Sequence, residues 1–167
     1  MMAPAIKSIF NIWLKRAVNI LKMILPEKTR LTKPKNGVGT INPGINTKRD
    51  NDPFVNAERH CLSSIHFLLN HMEKCPETYK KYKCPFLTIQ GGIDKLVHPM
   101  GAFDLFNQSP LDEKDKDIIF VEEMWHDLWH EPQVFDITSE IGNWMIKRIQ
   151  SNPEEMSQKD PNERIEI

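Results

Sequence analysis

The stretch from Cys84 to His130 constrains the chain most, because two short strand-like runs there each lead into a loop with a chemically capable side chain. Pro85, Phe86, Leu87, Thr88 and Ile89 form the first run, broken by Gly91-Gly92 and followed by Asp94. Ile118, Ile119, Phe120 and Val121 form the second, followed by Glu122-Glu123-Met124-Trp125 and then His126. Between them the sequence predicts a short helix from Pro99 to Phe106, with Pro99 at its start and Ala102, Phe103, Leu105 and Phe106 on its apolar face. Strand, acid, helix, strand, histidine is a βαβ unit, so the two strands should be parallel neighbours. Ligands gather beyond the carboxyl ends of parallel strands, which puts Asp94 and His126 at one edge of the sheet.

A carboxylate beside a histidine fixes the imidazole tautomer and stabilises the imidazolium that forms when the ring takes a proton. The acid precedes the histidine here, the order of the last two members of a Ser…Asp/Glu…His triad. The surrounding residues resemble the C-terminal half of the monoacylglycerol lipase-like α/β hydrolases, also described as serine aminopeptidase-type domains. Their P-F-L-hydrophobic-Q/H-G-x-x-D pattern is matched from Pro85 to Leu96, their helix-opening G-A by Gly101-Ala102, and their D-K and short strand by Asp115-Lys116 and Ile118 to Val121. Their W/Y-H-x-L-x-x-E is matched by Trp125, His126, Leu128 and Glu131. The resemblance implies that Asp94 is the triad acid and His126 the general base. It implies carboxylic ester substrates, most directly monoacylglycerols or related lipids, with Trp125 and Leu128 near the acyl chain and no metal or cofactor.

The nucleophile of such a hydrolase sits in G-x-S-x-G, where glycines let a strained strand-to-helix turn pack. None of Ser8, Ser63, Ser64, Ser109, Ser139, Ser151 and Ser157 is flanked by glycine at that spacing. The family's oxyanion-hole segment also has no counterpart. The expectation is a partial α/β-hydrolase fold, cap helices plus the C-terminal parallel strands and helices, inactive by itself on the serine mechanism. A different class of function stays open: a non-catalytic remnant that binds a membrane, or a partner chain through an unpaired sheet edge.

The resemblance extends upstream. Met2-Ala3-Pro4-Ala5-Ile6 looks like the end of the family's strand that leads into the cap, and Ile24-Leu25-Pro26 like the end of its first cap helix. Periodicity predicts that helix from Ala5 to Leu25, with Lys7, Asn11, Lys15, Asn19 and Lys22 on a polar stripe opposite Ile6, Ile9, Phe10, Trp13, Ala17, Ile20, Leu21 and Leu25. Lys15-Arg16 divides the apolar run, which falls short of the ~18 residues needed to span a bilayer. Two readings of the Ile6–Leu25 helix remain, packing on the protein's own core or peripheral contact with a membrane surface. The segment 1–49 carries ten Lys or Arg against Glu27, yet the net charge of -1 over 167 residues gives no general basis for nucleic-acid binding. Three cysteines without a C-x-x-C fit reduced thiols in a cytoplasmic setting.

Residues Glu27 to Asp52 read as a polar loop, and Asp52-Pro53 as the entry to a second helix ending near Glu73. His126-Asp127-Leu128-Trp129-His130 has the spacing of a zinc-binding H-E-x-x-H with Asp for Glu. That site needs both histidines on one helix face, whereas here the pair follows a strand and precedes Pro132. Gly91-Gly92 is better explained by a tight turn that lets the Asp94 loop approach the histidine. A last helix should open at Glu131-Pro132, run to about Gln150, and pack its apolar stripe on the sheet. The domain reading is therefore 1–83 for the strand end and cap, 84–150 for the core, and 151–167 for a disordered acidic tail.

Overall fold

The βαβ unit is the frame on which the site is built. In the computed structural model, residues 1–32, 37–55 and 58–151 are described. In chain order the elements are α1 (Ile12–Ile24), β1 (Arg30–Thr32), α2 (Pro43–Asp50), β2 (His60–Cys61), α3 (Leu62–Tyr79), β3 (Phe86–Gly91), α4 (Met100–Gln108), β4 (Lys116–Val121) and α5 (Val134–Ser151). Strands β3 and β4 pair in parallel from Phe86 opposite Lys116 to Gly91 opposite Val121, with α4 as the crossover. Every residue of β3 is buried. Its other edge is taken by the Met1–Ala3 segment, where Met2 forms a parallel bridge to Ile89. Ala3 N–H donates to Ile89 O at 2.8 Å, and Ile89 N–H to Met1 O at 2.8 Å.

The first helix is shorter than its periodicity implies. Asn11 caps it by accepting the Leu14 N–H at 2.9 Å, and so marks a helix boundary in place of a stripe position. Residues before it are held elsewhere: Lys7 O accepts the His98 N–H at 2.9 Å, and Lys7 Nζ pairs with Asp104 at 2.6 Å. Val18 packs with Leu62 and Leu69 in one apolar cluster, joined by Leu21, Leu25, Leu31 and Ile65. A second cluster, Cys75, Tyr79, Phe86 and Leu105 with Ile6, Tyr82 and Leu111, joins α3 to the βαβ unit. Full burial of each large apolar side chain contributes about 1.5–3 kcal/mol, so these clusters hold the sheet's approach segments in place.

The second helix begins later than Asp52-Pro53 and ends later than Glu73. Asp52 accepts the Phe54 N–H at 2.8 Å in a local turn, and His60–Cys61 pairs antiparallel with Arg30–Thr32 before α3 starts. The loop expected over Glu27 to Asp52 contains β1 and α2. Asn42 caps α2 by accepting from Gly44 N–H at 3.0 Å, and Pro43 supplies the preset first-turn φ.

Met1–Pro132 forms one unit, and the chain from Gln133 forms another. Within the second, α5 opens with the Ile137 N–H donating to Gln133 O at 3.1 Å. Its start follows Glu131 by three residues, because Glu131, which precedes Pro132, is held extended with ψ 154. The acidic tail beyond Ser151 lies outside the described residues. Among the described residues no helix is long and apolar enough to cross a membrane.

Candidate active site

Asp94 and His126 meet at the carboxyl ends of β3 and β4. The Nδ1 of His126 lies 2.8 Å from Asp94 Oδ2, with the Asp94 side chain fully buried and that of His126 29% exposed. The loop after β3 is built to hold the acid. Asp94 Oδ1 accepts the backbone N–H groups of Leu96 at 2.8 Å and Val97 at 3.0 Å. Its Oδ2 accepts the Gln90 amide at 3.1 Å in addition to the imidazole. A carboxylate has about four lone-pair sites, and four donors address this one.

The histidine loop is equally fixed. Met124 is completely buried, its N–H donating to Val121 O at 3.2 Å and its carbonyl accepting the Ile93 N–H at 3.1 Å. Gly91 and Gly92 make that contact sterically feasible. A Cβ on Gly91 would lie 2.3 Å from Trp125 O and 2.4 Å from Met124 O, and one on Gly92 would lie 2.6 Å from Glu122 O. The two loops touch backbone to backbone, which only glycine allows here. Beyond His126, the Asp127 N–H donates to Gly39 O at 2.7 Å, and Ile41 N–H donates to Glu131 Oε1 at 2.9 Å. Residues Gly39–Ile41 thus clasp the far side of the histidine loop.

Electrostatics follow from these bonds. The Asp94 hydrogen bond raises the basicity of His126 against the opposing effect of burial, helped by the charges of Asp94 and Asp127. For Asp94, burial pushes the pKa up and is the largest single influence. Bonds from His126, Val97 and Leu96, with the imidazolium charge, together bring it below the ordinary carboxylate value. With Nδ1–H directed at the carboxylate, the Nε2 lone pair is the one left to accept a proton.

Trp125 lies beside the pair, half-buried, with the Lys95 ammonium 3.3 Å from its ring centroid. Leu128 is placed in the interior at 2% exposure. The zinc-like spacing dissolves in three dimensions: Leu128–His130 is a single 3-10 turn, and His130 Nδ1 turns to Asp127 Oδ2 at 2.7 Å. Three contributors escaped the sequence reading as site residues, namely Gln90, Lys95 and Glu131. For Gln90 a signal existed, since a polar residue near the end of an otherwise buried strand requires a partner.

Comparison with known proteins agrees with this architecture. The family model described as serine aminopeptidase S33, Hydrolase_4, matches residues 1–133. The monoglyceride lipase of Rattus norvegicus is 26% identical over 145 residues, covering 80% of this chain and 46% of that protein. The crystal structure of a monoacylglycerol lipase from Paleococcus ferrophilus superposes with a TM-score of 0.73 at 22% identity, over 87% of this chain and 57% of that one. A soluble variant of the Saccharomyces cerevisiae monoglyceride lipase, in complex with a substrate analog, superposes with a TM-score of 0.65 at 16% identity, over 82% of this chain and 50% of that one. These structural matches show an α/β-hydrolase fold. The chain spans about half the length of the relatives it matches.

Proposed function

This chain belongs to the serine aminopeptidase S33 family of α/β hydrolases, and we propose that Asp94 and His126 are the acid and general base of ester hydrolysis on a monoacylglycerol or related lipid. The observation that carries this reading is the 2.8 Å contact between Asp94 Oδ2 and His126 Nδ1 at adjacent parallel strand ends. His126 Nε2 takes the proton of a serine hydroxyl as its oxygen bonds to the ester carbonyl, then gives that proton to the departing alkoxide. A water repeats the sequence on the acyl-enzyme, losing its proton to Nε2 and releasing the fatty acid. Asp94 keeps its charge throughout and stabilises the imidazolium. Trp125, at the mouth of the pair, and the α1 segment as part of a cap, are the residues we assign to acyl-chain contact; Leu128 supports them from the interior.

No G-x-S-x-G pentad occurs in the 167 residues, so we expect these residues alone to show no serine-type hydrolysis. Removing such a nucleophile and its oxyanion donors costs orders of magnitude. The test is hydrolysis of a monoacylglycerol series by the protein isolated from its source cells, with His126→Ala and Asp94→Asn variants beside it. Where the isolated protein hydrolyses the series, we expect kcat to fall by about 10⁴ in Asp94→Asn. Full activity in His126→Ala would sink the assignment.

A second reading, non-catalytic binding at a peripheral membrane surface, is favoured by one feature. On α1, Trp13 is 70% exposed, Ile24 72% and Met23 87%, an unusual apolar display beside Arg16 and Lys22. Flotation with phosphatidylserine vesicles tests it, with retention by Trp13→Ser and Met23→Ser variants counting against it.

A further inference from the structure

The Asp94 carboxylate has a third class of partner besides His126 and the loop amides. Gln90, directly after the apolar run of β3, is completely buried. Its Nε2 lies 3.1 Å from Asp94 Oδ2 and 3.1 Å from Gly91 O. Both neighbours are pure acceptors, so the amide can present only its NH2 to them, and its orientation is determined. The other end is left with a deficit: Gln90 Oε1 is buried and has no donor among the described residues. A side chain kept for packing alone would be better as Met or Leu, which bury no unpaired oxygen.

We infer that Gln90 is a positioning residue for the acid–base pair: its amide shares Asp94 Oδ2 with the imidazole and draws off part of its charge, so that His126 remains a usable base near neutrality. The carboxylate would otherwise give His126 its whole Oδ2, and the imidazolium would be held too firmly to release its proton at the midpoint of the reaction. The division of labour is visible in the bonds. Leu96 and Val97 anchor Oδ1, while Gln90 and His126 divide Oδ2. Among the described residues, the charged groups near His126 are Asp94 from the loop after β3, Asp127 from its own loop, and Lys95 above the neighbouring Trp125 ring. Asp127 is itself paired with His130, and of these groups Gln90 bonds only Asp94.

This inference rests on the reading of Asp94 and His126 as an acid–base pair, and its test does not require hydrolysis. In Gln90→Met, the nearest shape without donors, the His126 midpoint followed by imidazole NMR should rise by about half a pH unit, the scale of one net hydrogen bond. An unchanged or lowered midpoint would overturn the inference. The unsubstituted protein supplies a second measurement that needs no variant to fold. Two donors on one oxygen must respond to each other, so the Gln90 side-chain amide resonances should shift with the same midpoint as His126. Amide resonances that stay flat through that titration would also overturn it. Full hydrolysis in His126→Ala, with both NMR outcomes as expected, would remove the hydrolase reading and leave the role of Gln90 within the pair standing.

Discussion

Substituting Gly91 by alanine should uncouple the candidate pair without touching either member. The new Cβ would lie 2.3 Å from Trp125 O, 2.4 Å from Met124 O and 2.8 Å from Met124 C. Ordinary Cβ contacts begin at 3.4 Å, so the backbone of the histidine loop must retreat by about 1 Å. Nothing flexible intervenes, because all three clashing atoms are main chain. The loop is also tied at Met124 and Asp127 by bonds to Ile93 and Gly39, so the retreat strains those bonds. A displacement of that size passed to His126 would stretch the 2.8 Å bond to Asp94 beyond hydrogen-bonding range. Overpacking costs about 1–3 kcal/mol, and loss of a charge-assisted bond adds about 1.5–3 kcal/mol. We expect a total near 3 kcal/mol after relaxation, read as a lowered urea midpoint at unchanged slope. The downfield His126 Nδ1–H resonance should vanish in the same variant. A Gly91→Ala protein with native urea stability and that resonance intact would refute the steric argument.

Other consequences follow from the same geometry. His126 is raised above its ordinary value of 6.5, so its bond to Asp94 contributes stability that is complete below 6.5 and is lost as pH rises through the raised folded value. Asp94 is lowered below its ordinary 3.8, so its contribution is present above 3.8 and is lost as pH falls through the depressed value. Asp94→Asn should flatten both limbs of a urea-stability profile against pH. Hydrolysis, where measured, needs neutral His126 and should rise with pH through a midpoint above 6.5. Glu131→Ala removes the acceptor for the Ile41 N–H and should cost about 1–3 kcal/mol in urea unfolding, whereas Glu131→Gln, which keeps an amide oxygen, should cost less. Leu62, the first residue of α3 and fully buried in a cluster with Val18 of α1, should cost about 2–5 kcal/mol when cut to alanine.

What the sequence made legible were features whose cause is local. The β-branched run at Thr88 to Ile89, the Gly91-Gly92 break and the Ile118 to Val121 run are read within a few residues, and their parallel pairing follows from the intervening helix. The meeting of Asp94 and His126 then follows from strand ends alone. What was not legible depends on distant partners. The three-residue β1 and two-residue β2 exist only because each supplies the other's ladder, and neither has enough apolar content to announce itself. Helix α2 has little apolar surface, and only its Asn42-Pro43 entry marks it. The clasp of Gly39–Ile41 on Asp127 to Glu131 joins residues about 90 positions apart. Asn11 differs for another reason: a stripe position and an N-cap look alike in sequence, and only the partners of the preceding residues make it the cap.

The measurement that bears most directly on the acid–base assignment is fluorophosphonate labelling in the source cells, comparing the native sequence with a His126→Ala replacement and identifying labelled proteins by peptides from Cys84 to Arg148. The phosphonate traps only a serine whose proton has a base to go to. We expect any labelled protein that carries these peptides to lose its label when His126 is alanine. Labelling that survives the replacement would contradict the assignment of His126 as the base.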